Sequence, residues 1–135
     1  MTGGCLCGAV RFRLAHAPDA FGACHCKMCQ RWTGAPYLGV EVAGGDVAWQ
    51  GEPAVYASSD WGERGFCAVC GSTLFWRMRD GSGSTVLSLG AFDETDGIAF
   101  ASEIFIDEKP AAYAFAGDRT RQTGAEVMVA IRGGA

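Results

Sequence analysis

Seven cysteines fall into three tight groups: Cys5 with Cys7, then Cys24, Cys26 and Cys29, then Cys67 with Cys70. The outer groups together offer four thiols, enough to close a tetrahedral shell around one metal ion. The middle group offers three and leaves a position open. Structural zinc sites are closed, whereas catalytic ones keep a position for water or substrate. The spacing therefore points to two metals with different roles.

In Cys67-Ala-Val-Cys70-Gly71, two thiolates separated by two residues can grip one ion from a tight turn, and the glycine lets backbone amides face the sulfur. Cys5-Leu-Cys7-Gly8 repeats the pattern with a shorter spacing. Joining the two closes a loop of about sixty residues, so the ion would contribute to folding. The expectation is a structural zinc on Cys5, Cys7, Cys67 and Cys70. Disulfides fit less well, because an odd number of cysteines leaves one unpaired. Inert core thiols would scatter along the chain and not cluster.

Cys24-His25-Cys26-Lys27-Met28-Cys29 places three thiolates within six residues. A zinc held by Cys24, Cys26 and Cys29 would have room to activate a thiol or water, or to polarise a carbonyl. His25 is a possible fourth ligand, but it lies between two others and would strain to turn inward. Its alternative is a supporting or packing role. Lys27 and Arg31 follow closely; they can steady thiolates or bind a substrate carboxylate, or be plain surface residues. Trp32 can wall the site or fill core. His16 lies in a polar loop. No Ser-His-Asp order, phosphate-binding loop or dinucleotide fingerprint occurs, and Gly81-Ser-Gly-Ser reads as a turn.

Short apolar or alternating runs must position these groups. Strands are expected over Ala9–Leu14, Tyr37–Val42, Val55–Ala57, Leu74–Met78, Thr85–Leu89 and Glu103–Ile106. Glycine turns separate them. Lys27–Trp32 can form two helical turns ending near Thr33-Gly34, and Pro110–Phe115 another short turn. The run Gln122–Ile131 fits a strand or a helix equally. The class is mainly β, with antiparallel sheets and short helical turns.

The chain has 135 residues, 49% hydrophobic and 19% charged, which suits one domain over 1–135 with a real core. Its 20 glycines imply many turns. The formal charge is −4. Seven thiolates around two divalent ions add a further −3, for about −7. Such a chain, without a basic run, is a poor partner for nucleic acid. MTGGCLCGAV lacks the features of a signal peptide, and no apolar stretch reaches the ~20 residues of a membrane helix. The expectation is no membrane partner and the cytoplasm, where thiols stay reduced.

The segments GGCLCGAVRF, CHCKMCQRWTGAP and RGFCAVCGSTLFW, followed by EIFIDEKPAAYAF, resemble the glutathione-dependent formaldehyde-activating enzyme (GFA) family, or CENP-V/GFA domain, from about residue 3 to 115. The resemblance implies an Mss4-like β-tent of stacked antiparallel sheets. It implies a structural zinc at Cys5, Cys7, Cys67 and Cys70 and a catalytic zinc at Cys24, Cys26 and Cys29. It also implies a carbon–sulfur lyase reaction joining glutathione and formaldehyde into S-hydroxymethylglutathione. Arg64 matches a position commonly basic in that family. Glu103 stands where relatives often carry histidine, and Tyr113 near a usual aromatic.

The leading expectation is a zinc enzyme acting on a thiol–aldehyde adduct, with Lys27 and Arg31 holding the carboxylates of a glutathione-like co-substrate. One rival is a non-catalytic module with two structural metals, which needs a protein ligand in the fourth position. Another is an iron–sulfur protein, for which the middle group falls one cysteine short.

Overall fold

The computed structural model describes residues 1–133. The chain runs β1 (Thr2–Gly4), β2 (Arg11–Leu14), β3 (Ala20–Cys24), α1 (Lys27–Thr33), β4 (Tyr37–Ala43), β5 (Val47–Gln50), β6 (Ala54–Ala57), β7 (Gly62–Phe66), β8 (Thr73–Met78), β9 (Ser84–Ser88), β10 (Ala99–Ile104), β11 (Thr120–Gln122) and α2 (Gly124–Gly133). One sheet has three strands in the order β1-β2-β5; the other has eight, ordered β11-β10-β3-β4-β9-β8-β7-β6. No described helix is long and apolar enough to cross a membrane.

Alternation sets the faces. Phe12 and Leu14 of β2 point inward while Arg13 points out. Val40 and Val42 of β4, Leu74 and Phe75 of β8 and Leu87 of β9 meet them to form the core, together with Cys5 and Cys67. Phe12 packs edge-on against Trp49 at 5.7 Å and against Phe92 at 5.3 Å, and Trp49 reaches Phe75 at 5.5 Å. Aromatic contact thus links the small sheet to the large one. Gly65 pairs with Phe75 across β7 and β8, and a Cβ there would stand 2.0 Å from the Phe75 ring. Only glycine lets that ring lie over its neighbour.

The small sheet is wholly antiparallel. The large one is mixed, because β10 runs parallel to both β3 and β11. That crossover brings residues distant in sequence beside the end of β3. β10 stops at Ile104, short of the Ile106 expected, because Phe105 adopts a left-handed φ of 56° and turns the chain into a 3-10 turn. The apolar run after Gln122 resolves as helix α2. Thr123 Oγ1 accepts from the Glu126 amide at 3.2 Å and Glu126 Oε1 accepts from the Thr123 amide at 3.0 Å. This reciprocal capping box was present in the sequence as Thr-Gly-Ala-Glu.

Candidate metal centres and the adjoining groove

The four outer cysteines converge. The sulfurs of Cys5, Cys7, Cys67 and Cys70 lie within 4.8 Å of one another. Cys5 to Cys7 is 3.6 Å and Cys7 to Cys67 is 3.8 Å. Tetrahedral Zn–S bonds of about 2.3 Å demand sulfur separations of about 3.8 Å, so this set fits a zinc ion. Each knuckle ends in a left-handed glycine, Gly8 at φ 82° and Gly71 at φ 79°. The Val10 amide donates to Cys5 Sγ at 3.3 Å, and the Ser72 hydroxyl lies 3.1 Å from Cys70 Sγ. The Ser72 hydroxyl and amide hold the Cys70 thiol down to about 5, and the Val10 amide lowers Cys5. Cys7 goes the other way, up to about 11: the Ala9 amide pulls it down, but desolvation and the neighbouring sulfurs outweigh it. Thiols this close cannot all ionise without a cation among them.

The middle trio also converges, with the sulfurs of Cys24, Cys26 and Cys29 within 4.8 Å. Cys24 ends β3. Cys26 is the N-cap of α1, its sulfur accepting from the Cys29 amide at 3.3 Å. Cys29 sits one turn into the helix and is buried. The helix closes at Gly34, φ 80°, whose amide bonds Gln30. This is the two-turn helix expected from Lys27 to Thr33-Gly34. The Cys24 and Cys29 thiols, the Cys29 amide and the Arg64 charge together hold Cys26 down to about 2. Cys24 is pushed up, chiefly by its hydrogen bond to Cys26. Cys29 also rises: the Cys24 thiol pulls it down, but Cys26 and burial prevail. The donor set suits a thiophilic divalent cation, and among the described residues no fourth His, Cys, Asp or Glu joins it.

His25 does not turn toward the sulfurs. It is fully buried, with Nε2 2.8 Å from Glu103 Oε1 and Nδ1 3.0 Å from the Tyr113 hydroxyl. The possible fourth ligand is thus engaged elsewhere at both ring nitrogens. Arg64 is the cation the trio does receive. It is 3% exposed, and its Nη2 donates to Cys29 Sγ at 3.6 Å. No carboxylate lies within ion-pair reach of it among the described residues. A buried guanidinium bonded to a sulfur and without a carboxylate partner can balance one negative charge. Three thiolates and a divalent ion carry that net charge of −1. Lys27 and Arg31 are exposed on α1, and neither forms a side-chain ion pair among the described residues. Trp32 is half-buried, stacked on Tyr56 at 5.8 Å and 10°. His16 is exposed beside Asp46.

A groove of about 600 Å³ runs over β10, β3, β4 and β9 and includes Cys24. Gly22 and Gly39, directly paired across β3 and β4, form part of its floor. Asp19 and Glu41 line it, with Ser84 and Ser102, and no Lys or Arg does. Tyr37 borders it, its hydroxyl donating to Val86 O at 2.7 Å and accepting from Ser88 at 3.1 Å. Burial above all pushes the Tyr37 phenol up, so it stays protonated. A second cavity of about 810 Å³ also includes Tyr37 in its lining, with Trp32 and Cys5. Arg64, Glu103 and Tyr37 carry no metal-ligand spacing. The sequence singled out Arg64 and Glu103 by resemblance, and only the strand pairings bring them to the trio.

Comparison with known proteins gives the chain relatives. The family model described as glutathione-dependent formaldehyde-activating enzyme matches residues 1–108. A Schizosaccharomyces pombe protein named an uncharacterized lyase is 31% identical over 130 residues, 96% of this chain and 95% of its own. A Halomonas elongata protein named as a candidate glutathione-dependent formaldehyde-activating enzyme is 31% identical over 85 residues, covering 56% of this chain and 54% of its own length. A crystal structure of a Rhodobacter sphaeroides protein superposes with a TM-score of 0.54 at 19% identity, over 75% of this chain and 100% of that one. That likeness concerns the fold alone.

Proposed function

The chain belongs to the glutathione-dependent formaldehyde-activating enzyme family, and on that premise we propose that it is a lyase-like enzyme making and breaking the carbon–sulfur bond of a thiol–aldehyde adduct. Glutathione and formaldehyde are the pair the family's description specifies. In the forward direction the thiol sulfur bonds to the carbonyl carbon while the C=O π pair moves to oxygen. The thiol proton ends on that oxygen, giving an S-hydroxymethyl thioether. The reverse direction breaks the same bond and returns the proton to sulfur.

The observation that carries this reading is the split between four closed and three open sulfurs, the open set adjoining a groove. A zinc ion on the trio would supply Lewis acidity and one free coordination position. Cys24, Cys26 and Cys29 would hold it. The buried Arg64 guanidinium, bonded to Cys29 Sγ, would offset the surplus negative charge. Tyr37 walls the Cys24 side of the groove. Lys27 and Arg31 meet substrate carboxylates from the helix side, because the groove itself offers only Asp19 and Glu41 as charges. The four-cysteine ion serves architecture.

The rival reading, two structural metals, needs a fourth protein ligand at the trio, and the engagement of His25 by Glu103 and Tyr113 counts against it. The test is zinc content of reduced protein, followed by glutathione titration of cobalt(II)-loaded protein and a screen of thiol–aldehyde adducts. Two equivalents are expected, one of them spectroscopically perturbed by the thiol. Reduced protein that took one equivalent and refused a second would sink the reading. Zinc thiolates are colourless, so visible absorption of the isolated protein would instead indicate iron.

A further inference from the structure

Behind the trio lies a buried polar cluster that the proposed chemistry does not use. Glu103 is 2% exposed and His25 fully buried. Glu103 Oε1 meets His25 Nε2 at 2.8 Å. Glu103 Oε2 accepts from Arg119 Nη1 at 2.7 Å and from Arg121 Nε at 3.0 Å. Burial tends to raise the Glu103 carboxyl, but the hydrogen bonds from His25, Arg119 and Arg121 outweigh it and hold it below the usual carboxylate range. The other face of His25 is closed by the Tyr113 hydroxyl at 3.0 Å and by the Phe115 ring at 5.9 Å. Its backbone is pinned as well. The His25 amide donates to Ile104 O at 3.0 Å, and the Gln30 amide group donates to His25 O at 2.6 Å.

The stereochemistry gives this cluster a consequence for the sulfurs. Cys24 ends β3 and Cys26 caps α1, and their sulfurs converge with that of Cys29. The residue between them is held at both ring nitrogens and at its own amide and carbonyl. Anchored at four points, His25 fixes the backbone from which both neighbouring sulfurs project. We propose that His25 and Glu103, backed by Tyr113, Arg119 and Arg121, are positioning residues that preorganise the three-sulfur centre. Tyr113, Arg119 and Arg121 lie beyond the residues matched by the family model, which ends at 108. The device is thus built partly from the C-terminal segment of this chain.

The inference rests on the trio being a metal centre. Its test uses the full chain, reduced and loaded with cobalt(II) and then zinc, with chelator competition read separately for the two ions. His25→Gln removes the lock at its centre; Tyr113→Phe removes one hydroxyl and is the milder change. In His25→Gln the trio's metal affinity is expected to fall about 10- to 100-fold, with an altered cobalt ligand-field spectrum. The four-cysteine ion should bind as before. In Tyr113→Phe the same ion should weaken by about threefold, in the same direction. Unchanged affinity and spectrum at the trio in Tyr113→Phe, or in a folded His25→Gln, would overturn the proposal. So would equal weakening of both ions, the mark of general destabilisation. If the unaltered chain bound one equivalent only, the metal reading itself would fall, and this inference with it.

Discussion

A single guanidinium decides much of the electrostatics at the trio. Arg64 is buried against Cys29 with no carboxylate partner among the described residues, so its charge has meaning only if the sulfurs are ionised. Replacing it with methionine, Arg64→Met, keeps the stem and removes the charge. A charge-assisted hydrogen bond contributes on the order of 1.5–3 kcal/mol, so chelator competition should show the trio's ion bound about tenfold more weakly or worse. Cys26→Ala should abolish that ion outright while leaving the far-ultraviolet circular dichroism and the other ion in place. Global unfolding of Cys26→Ala would count against a site that is not needed for architecture.

At the scale of elements, two glycines separate two kinds of strain. Gly34 closes α1 at φ 80° and has open space around the position of a Cβ. Gly34→Ala should therefore cost only the left-handed backbone penalty, about 1 kcal/mol, read by urea denaturation. Gly65 is different, because the Phe75 ring lies 2.0 Å from where its Cβ would sit. Gly65→Ala must displace a core ring and should cost at least as much again, within about 1–3 kcal/mol for overpacking. Helix α1 was readable because its glycine stop and its length are local. The strands β3 (AFGAC) and β7 (GERGF) were not, being rich in glycine and charge, with β propensity too weak to announce them. They form because they lie inside an eight-stranded sheet whose neighbours supply the burial and the hydrogen bonds.

Over the whole molecule, the four-cysteine set joins the loop after β1 to the loop between β7 and β8, with Cys5 and Cys67 inside the core that both sheets share. Stripping that ion should lower the melting temperature far more than emptying the trio, checked by calorimetry at graded chelator strength. Acid acts through a different tie. The Glu103 carboxyl is lower in the folded chain than in the unfolded one. The unfolded state therefore takes up the proton first as pH falls. The stability from this carboxylate is complete well above the ordinary glutamate value of about 4.3 and is lost as pH drops below it. Melting curves between about pH 6 and pH 3 should fall more steeply for the unaltered chain than for Glu103→Gln.

The cysteine spacings determined, without any structure, that the thiols form one set of four and one of three, because ligand count is a property of composition and local turns. Alternating apolar residues likewise determined a mainly β chain. Tertiary structure alone decided which way His25 faces, since Glu103 and Tyr113 reach it only through the parallel pairing of β3 with β10. It also brought Arg64 under Cys29, from a strand that the sequence did not reveal. Local signals specify what a short stretch can do. The direction of the His25 side chain depends on partners 78 and 88 residues away in the chain, and those are set by the packing of sheets.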